Sequence, residues 1–427
     1  METRITKASD TMLKAYCFLT SILSLVILPV IFILRTIQKK DVKSWKIKLS
    51  NFELPENFDK DKKTIMIHGV SVGEVVSLEK LIKKVKTIFP DFNLVITTGT
   101  KTGQEIAKKK AGDIADFITY FPLDIPCAVK GFLNKINPDV ILIAETEIWP
   151  VFAYNAALRN IPLYIINGRM SDESYKSYRA LKPFFKNILP LYSGIYTQSE
   201  IDKKRLFECG ANKDTLEVMK NLKFDVDKFE VNLDLKKGSS KVLIAGSTHR
   251  GEDEIVLETY KKLKEKNLDI KLLLAPRHIT RTGGVEELIK KFGFKYNLYS
   301  NNPSFEDVDI ILLNVMGELS KLYAVSDVAF IGGSFNNTGG HNPLEAIIFN
   351  KPVVSGPSIK NFRDIYAILS SNSSGRVVKN KEEFFEYLYK LFSDENFYNK
   401  ASKDCETIFN NQQGALDFVI DKLKACL

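Results

Sequence analysis

The sequence predicts an α/β protein in which two doubly wound, Rossmann-like domains follow one apolar N-terminal helix. Three observations support this class. The chain has 427 residues, which is longer than a single hydrophobic core usually supports. After residue 50, short apolar runs alternate with amphipathic stretches of helical length, which is typical of parallel sheets covered by helices on both faces. Near the N-terminus lies a long segment without charge.

The uncharged segment runs from Ala15 to Leu34, about the length that crosses the hydrocarbon core of a bilayer. A cleaved signal peptide would have a shorter apolar core and a small-residue cleavage site. Basic residues are more frequent after the segment (Arg35, Lys39, Lys40, Lys43, Lys46, Lys48) than before it (Arg4, Lys7, Lys14). The positive-inside rule therefore predicts a single membrane anchor, with the body of the protein in the cytoplasm and the basic flank against anionic lipids. A helix lying along the interface is the alternative, because Pro29 could bend the segment.

Two sets of apolar runs predict the strands of two sheets. The first set is Thr64–His68, Leu94–Thr98, Val140–Ala144, Leu163–Ile166 and Ile195–Thr197. The second set is Val242–Gly246, Ile270–Ala275, Ile310–Leu313, Val328–Ile331 and Pro352–Ser355. Between the sets, the polar stretch Asp225–Lys241 predicts a linker. The predicted domains are residues 1–50 (anchor and basic flank), 51–228 and 229–427, with any ligand in a cleft at the carboxyl ends of the strands.

The amino-acid composition limits the classes of molecule that we expect the protein to bind. A formal net charge of +9 favours an anionic partner, such as a membrane surface, a nucleic acid or a phosphorylated substrate, although a lysine-rich genome gives the same signal. Nucleic-acid binding usually interleaves aromatic and basic residues, whereas the basic residues here mostly line helix faces. We therefore expect no nucleic-acid partner. The five cysteines are scattered without CxxC spacing, which argues against a disulfide framework and a zinc site.

All four histidines close a predicted strand or lie within a few residues after one: His68, His249, His278 and His341. Because ligands bind at strand ends in this class, the pattern favours a role in ligand binding over isolated structural histidines. No pair has the spacing of a metal motif such as HExxH, and neither a P-loop nor a GxGxxG fingerprint is present. We expect no metal and no cofactor.

Carboxylates mark the strand ends of the first domain. Glu74 lies in "HGVSVGE", where it either stabilises a helix N-terminus or acts as a general base. Glu145 and Glu147 lie in "AETEIWP" after another strand. Carboxylates without metal-ligand partners fit acid–base work on hydroxyl groups.

The second domain shows the features of an anion site. Ser247, Thr248, Arg277 and His278 follow strands, and a helix is predicted to begin near Met316–Glu318. In "GGSFNNTGGHNPLEA" another helix is predicted, with Asn342 as the N-cap, Pro343 in the first turn and Glu345 directed at a non-phosphate partner such as ribose hydroxyls. Helix N-termini bind phosphate through free N–H groups.

The order of these motifs resembles the 3-deoxy-D-manno-octulosonic acid (Kdo) transferases of lipopolysaccharide synthesis, which are inverting glycosyltransferases of the GT-B fold. The matching stretches are "HGVSVGEV", "TTGTKTG", "ETEIWP", "NGRMSDES", "KNLKFD", "AGSTHRGEDE", "APRH", "MGEL", "GGSFNNTGGHNPLEA" and "GPSIKNF". They cover about residues 65–365. The resemblance implies that Kdo moves from CMP-Kdo to a hydroxyl of the lipid A precursor (lipid IVA) without a metal.

The resemblance also implies roles for individual residues. Glu74 corresponds to the general base, and Glu147 (or Glu145) and Lys223 to groups that stabilise the transition state. Residues 51–228 correspond to the acceptor domain and 229–427 to the CMP-sugar domain. The implied CMP-binding residues are Pro276, Arg277, His278, Val315, Met316, Gly317, Glu318, Asn342, Pro343, Leu344 and Glu345.

One departure from the family pattern is Lys220, a bulky charged residue close to Lys223 at a position where the family usually has glycine. The sequence leaves two other functions open. One is a membrane-associated GT-B glycosyltransferase, or an epimerase of that fold, acting on a different nucleotide sugar. The other is a non-catalytic protein that binds anionic lipids.

Overall fold

The computed structural model describes residues 5–37 and 43–427. It divides into two compact units: residues 1–225 with 413–427 form the first, and residues 226–412 form the second. Each unit is built on a seven-stranded, all-parallel sheet. The predicted doubly wound α/β class is therefore confirmed.

The sheet of the first unit has the strand order β3-β2-β1-β4-β5-β6-β7. Its strands are β1 (Thr64–His68), β2 (Asn93–Thr98), β3 (Phe117–Tyr120), β4 (Val140–Ala144), β5 (Leu163–Gly168), β6 (Gly194–Thr197) and β7 (Leu216–Val218). Every residue of β1, β2 and β4 is buried, as expected for parallel strands covered on both faces. Separate apolar clusters lie against the two faces of the sheet.

Nine helices precede or connect these strands within the described residues of the first unit. They are α1 (Lys7–Ile37), α2 (Lys43–Lys48), α3 (Val72–Ile88), α4 (Lys101–Ala111), α5 (Pro126–Ile136), α6 (Pro150–Leu158), α7 (Asp172–Ala180), α8 (Lys182–Phe185) and α9 (Glu200–Cys209). Side-chain caps begin several of them: Ser71 caps α3 and Thr100 caps α4. Pro126 and Pro150 occupy the first turns of α5 and α6, where no backbone N–H is required.

The second unit repeats the plan with the order β10-β11-β9-β8-β12-β13-β14. Its strands are β8 (Lys241–Thr248), β9 (Ile270–Pro276), β10 (Tyr296–Leu298), β11 (Ile310–Leu312), β12 (Val328–Ile331), β13 (Val353–Ser355) and β14 (Gly375–Val377). Its helices are α10 (Glu252–Glu265), α11 (Thr282–Lys291), α12 (Leu319–Val325), α13 (Leu344–Ile347), α14 (Arg363–Leu369), α15 (Lys381–Ser393) and α16 (Glu395–Gln412).

The last helix, α17 (Ala415–Cys426), differs from the predicted domain boundaries. The sequence analysis assigned residues 413–427 to the second domain, whereas α17 packs against α3 of the first unit. Both carboxylate oxygens of Asp225 accept backbone N–H groups at the start of α17, from Gly414 at 2.7 Å and Leu416 at 2.5 Å. Val419, Ile420 and other apolar residues of α17 complete the core beneath α3.

Helix α1 contains the predicted apolar segment. It is the one described helix that is long and apolar enough to cross a membrane: within Lys7–Ile31, an 18-residue window has a mean hydropathy of 2.0. In the basic flank, Lys39 and Lys40 lie outside the described residues, as does Arg4. Lys48 is held by the protein itself, because its Nζ donates to the Gly99 carbonyl at 2.7 Å.

Candidate active site

Glu74 begins α3 and is only 8% exposed. Its Oε2 accepts the Val70 N–H at 2.7 Å, and its Oε1 accepts the Ser71 hydroxyl at 2.8 Å. Ser71 in turn caps the helix, so the two residues form a capping box. Burial raises the pKa of the Glu74 carboxyl above its ordinary value, and these hydrogen bonds oppose the rise. The capping role is thus present, and each carboxylate oxygen retains a lone pair for a substrate hydroxyl.

Two further carboxylates lie near Glu74 at the end of β4. Burial, together with the negative charges of Glu74 and Glu145, raises the pKa of Glu147 to about 7. The charge of Glu145 also raises the pKa of Glu74. The structure therefore brings all three predicted carboxylates of the first unit into electrostatic contact. Such a cluster supplies a base and an acid near neutral pH.

The backbone of Glu145 is strained, with φ of 57° in the left-handed region. Non-glycine residues adopt this conformation at a cost of about 1 kcal/mol or more, and such residues concentrate at functional sites. Its carboxylate pairs with Arg169, whose Nε lies 3.2 Å from Oε2. Thr146 ties the two loops together, since its hydroxyl accepts the Arg169 N–H at 3.0 Å. The sequence analysis did not name Arg169, although "NGRMSDES" contains it.

Lys223 lies in a short 3-10 turn, Leu222–Phe224, that follows β7. The turn is held by a buried amide network: Asn221 Oδ1 accepts the Lys223 N–H at 3.0 Å, and Asn221 Nδ2 donates to Gln198 at 2.9 Å. Asn167 Oδ1 accepts the Leu222 N–H at 3.1 Å. The network places Lys223 on the same unit as the carboxylates and fixes its backbone.

Lys220 just before this turn has φ of 70°. The left-handed conformation is the physical reason for a glycine at this position, since glycine alone enters it without cost. The lysine adopts it nonetheless, and its Nζ donates to the carbonyl of Gln413 at 2.9 Å, beside the start of α17. The long side chain is therefore directed to α17.

His68 does not fit the predicted ligand-binding role. It is fully buried at the end of the central strand β1, with its ring 4.1 Å from that of Phe121. Nδ1 lies 2.9 Å from the Thr97 hydroxyl, and burial lowers the pKa of the imidazole to about 3. The ring is a neutral core group. Its position at the end of a strand did not indicate whether the ring is exposed, because Phe121 covers the end of β1.

The other three histidines lie together in the second unit. His249 and His341 stack with ring planes 10° apart, and their Nε2 atoms are separated by 2.9 Å. The ring of His278 meets that of His249 edge-on at 5.8 Å. Burial lowers the pKa of His341 to about 4, and the charges of His249 and Arg277 act in the same direction. Burial also lowers the pKa of His249, so His249 and His341 are neutral hydrogen-bonding groups at neutral pH. Among the described residues, no three His, Cys, Asp or Glu side chains are placed to hold a metal ion.

A buried carboxylate that sequence reasoning missed organises the glycine-rich loop after β12. Glu252, 1% exposed, accepts four backbone N–H groups within 2.7–2.8 Å. One comes from His249, and the others come from Gly333, Ser334 and Phe335. Gly333 has φ of 69°, and a Cβ there would lie about 3.0 Å from the His341 ring. Glu252 therefore connects the two loops that present the histidine pair.

The predicted anion site is partly rearranged. Thr248 is buried, and its hydroxyl donates to Asp253 at 2.6 Å, while Asp253 pairs with Arg281. The Thr248 hydroxyl proton is thus used in a hydrogen bond within the protein. Arg277 and His278 remain exposed just past β9.

The helices predicted near Met316 and Asn342 begin later than expected. Helix α12 starts at Leu319, so Val315, Met316, Gly317 and Glu318 form the loop before it, with Met316 82% exposed. Helix α13 is a single turn that starts at Leu344, and its N-cap residue is Pro343, one position later than the predicted Asn342. Asn342 still caps it, since Oδ1 accepts the Leu344 N–H at 3.1 Å. Because Pro343 has no backbone N–H, the capping hydrogen bond to Asn342 comes from the next residue, Leu344.

Glu345 lies in the first turn of α13 and is half-buried. Burial raises the pKa of its carboxyl, and the positive charge of Arg277 and a hydrogen bond from Asn342 oppose the rise. The carboxyl-terminal end of the second sheet therefore carries a group of predicted site residues beside the histidine pair: Pro276, Arg277, His278, Asn342 and Glu345.

Comparison with known proteins identifies the family. Residues 43–226 match the sequence model of the 3-Deoxy-D-manno-octulosonic-acid transferase (kdotransferase) family. The chain is 35% identical to the 3-deoxy-D-manno-octulosonic acid transferase of Haemophilus influenzae, over 85% of this chain and 87% of that one. The chain belongs to the Kdo transferase family. The resemblance seen in its motifs is confirmed.

Two further matches describe how far the similarity extends. A bifunctional glycosyltransferase/methyltransferase of Fusobacterium nucleatum is 39% identical over 81% of this chain, and this match spans only 56% of the longer relative. A UDP-GlcNAc 2-epimerase from Neisseria meningitidis superposes with a TM-score of 0.54 at 14% identity, covering 85% of this chain and 100% of that one. At this identity the superposition shows the fold alone. The Kdo transferase and the epimerase share the GT-B type of architecture.

Proposed function

We propose that this chain transfers Kdo from CMP-Kdo to a hydroxyl of the lipid A precursor, lipid IVA, with inversion at the sugar carbon. The observation that carries the proposal is the cluster of Glu74, Glu145 and Glu147 at the strand ends of a Kdo transferase fold. Burial and the charge of Glu145 raise the pKa of Glu74, and burial with the charges of Glu74 and Glu145 raises that of Glu147 to about 7. A general base works best when its pKa lies near the operating pH.

In the proposed reaction, the acceptor oxygen forms a bond to the anomeric carbon of Kdo as the bond from that carbon to the CMP phosphate oxygen breaks. The acceptor proton passes to Glu74, and the electron pair leaves with CMP. A second carboxylate, Glu147 or Glu145, stabilises the positive charge that develops on the sugar. Arg277 and Lys223 stabilise the negative charge on the departing phosphate, which is the kind of electrostatic stabilisation that lowers barriers most.

The donor is assigned to the second unit and the acceptor to the first. Arg277 supplies charge for the phosphate, Glu345 a carboxylate for the ribose hydroxyls, and the exposed Met316 an apolar surface for the base. The remaining proposed CMP contacts are Pro276, His278, Val315, Gly317, Glu318, Asn342, Pro343 and Leu344. We further propose that α1 attaches the enzyme to the inner membrane with both units on the cytoplasmic side.

Replacing Glu74 with glutamine tests the base. Glutamine is accepted at this position of a capping box, so the start of α3 should survive while the proton acceptor is removed. We expect kcat for Kdo transfer to fall about 10²- to 10⁴-fold. The matched control is Glu105→Gln on α4, where the side chain is exposed. Full activity of the Glu74→Gln variant would exclude Glu74 as the base.

Two measurements separate the proposal from its rivals. Calorimetric titration with CMP and UDP tests the nucleotide: stronger binding of UDP would indicate a different nucleotide sugar. Mass spectrometry of lipid IVA incubated with enzyme and CMP-Kdo detects each transferred Kdo. Vesicle binding without any product would favour the non-catalytic lipid-binding protein.

A further inference from the structure

The first three turns of α1 are part of the first unit. The hydroxyl of Tyr154 on α6 donates to Asp10 Oδ1 at 2.5 Å. Leu13 is fully buried in the core cluster that contains α5 and α6 side chains. One turn later, the ring of Tyr16 lies 5.2 Å from that of Phe184. The N-terminal end of the helix is therefore docked on the protein.

The rest of α1 presents apolar side chains to its surroundings. Ten of them are exposed: Phe18, Leu19, Ile22, Leu23, Leu25, Val26, Ile27, Val30, Ile33 and Leu34. The hydroxyls in this segment need no water, because Thr20 and Ser21 donate to the Cys17 carbonyl and Ser24 donates to the Ser21 carbonyl. A segment whose polar groups are internally satisfied can enter hydrocarbon without loss of hydrogen bonds.

The last residue of α2 and the residues that follow it are also attached to the first unit. Both the backbone and the side chain of Lys48 make hydrogen bonds to this unit. The Leu123 N–H donates to the Lys48 carbonyl at 2.9 Å, and Lys48 Nζ donates to the Gly99 carbonyl. The Ser50 hydroxyl donates to the Ala128 carbonyl of α5 at 2.6 Å. Helix α1 also packs on α5. The chain is thus attached to the same unit both before the apolar segment, at Asp10–Tyr16, and after it, at Lys48–Ser50.

This double attachment limits how α1 can meet a bilayer. From Cys17 to Ile37 the helix is about 30 Å long, which equals the hydrocarbon thickness it would cross. A spanning helix would place Ile37 on the opposite face of the membrane from the docked turns. The six peptide links from Ile37 to Lys43 reach at most about 22 Å, and helix α2 adds about 8 Å before the docked Lys48. To return, the chain would have to run fully extended through the whole hydrocarbon layer of roughly 30 Å, where an extended backbone has no partners for its N–H and C=O groups. Spanning is therefore incompatible with the docked ends.

We infer that residues 18–34 of α1 lie along the lipid–water interface as a monotopic helix, with both ends on the same face of the membrane. The occupant of this surface is a phospholipid bilayer, since the segment is long and apolar, and the basic Lys46 lies exposed on α2. The inference rests on the proposed membrane attachment, and it decides between the two arrangements that the sequence left open.

Depth measurements with spin labels test the arrangement. In the full chain, the accessible Cys17, Cys127 and Cys426 are replaced by serine, and Cys209 and Cys405 stay because they are buried. Single cysteines are then introduced from position 18 to 34, labelled and reconstituted into phosphatidylethanolamine–phosphatidylglycerol vesicles. Accessibility to oxygen and to a nickel chelate reports depth, and Glu287→Cys on α11 supplies the aqueous reference.

We expect depth to oscillate with the 3.6-residue helical period and to reach about 5–10 Å below the phosphates. A single smooth maximum about 15 Å deep near the middle of the segment would show a spanning helix and overturn the inference. Nickel accessibility at every position would overturn it as well, because no bilayer would then cover α1.

Kdo transfer by the same vesicles separates this inference from the proposed function. An oscillating profile without transfer activity would sustain the monotopic helix and refute the proposed reaction. Activity with a spanning profile would do the reverse.

Discussion

The Nε2 atoms of His249 and His341 lie 2.9 Å apart, so one of them carries a proton and the other accepts it. Protonation of both would place two positive charges face to face. Burial lowers the pKa of both rings, that of His341 to about 4. The unfolded chain, with histidine pKa near 6.5, binds more protons than the folded chain between those values.

Stability should therefore fall as the pH drops from about 6.5 to about 4. Part of this slope belongs to His68, whose pKa is lowered to about 3 by burial. Replacing His341 with asparagine should reduce the slope without abolishing it. Urea unfolding at several pH values measures it, and an unchanged slope in the variant would show that the pair is not responsible.

The four N–H groups bound by Glu252 predict a large effect of a small change. In Glu252→Gln, the amide NH₂ replaces an oxygen and faces N–H donors, so at least one buried donor loses its acceptor. We expect a loss of about 2–4 kcal/mol in the free energy of unfolding. Glu258→Gln on the same helix is the control, since it breaks an exposed pair with Lys381 and should cost less than about 1 kcal/mol. Equal losses in the two variants would contradict the structural role of Glu252.

The carboxylate cluster predicts a shift in the pH–rate profile. The negative charge of Glu145 raises the pKa of both Glu74 and Glu147. Glu145→Gln removes that charge and releases Arg169, so both pKa values should fall. Because a base works only when deprotonated, the acid limb of kcat/KM should move to lower pH. Glu105→Gln should leave the limb in place. An acid limb that moves to higher pH would refute electrostatic coupling within the cluster.

Glu345 should matter for nucleotide binding and little for folding. Glu345→Gln keeps the side-chain size but removes the charge that accepts a ribose hydroxyl in the proposed complex. The CMP dissociation constant should rise about 10- to 100-fold, since a hydrogen bond to a charged group contributes about 1.5–3 kcal/mol. Calorimetry with CMP measures this, with Glu287→Gln as the control. Unchanged affinity would remove Glu345 from the proposed donor site.

The predicted strands show what local patterning can reveal. All ten predicted strands are present, and the four missed strands are β3, β7, β10 and β14. These four are the edges of the two sheets. Edge strands are short and partly exposed, so they lack the continuous apolar run by which a central parallel strand is recognised.

The residues of the candidate site also fall into two groups, those that the local sequence revealed and those that it did not. Glu74, Glu145 and Glu147 were recognisable because each lies in a strand-to-helix junction that is visible in a few residues of sequence. Glu252 was not, because three of its four donors lie 81–83 residues away. His68 and His249 both stand at or just past a strand end, yet only packing against Phe121 makes His68 a core residue.

Helix α1 shows the same distinction most clearly. Its length and apolar character are properties of consecutive residues, so the sequence alone determined that the segment suits a membrane. Its relation to the bilayer depends on Asp10 meeting Tyr154 and on Ser50 meeting Ala128, contacts between residues 144 and 78 positions apart. Hydrophobicity is a local property, whereas the attachment of both helix ends to one unit is a matter of distances through space, and only the tertiary structure decided it.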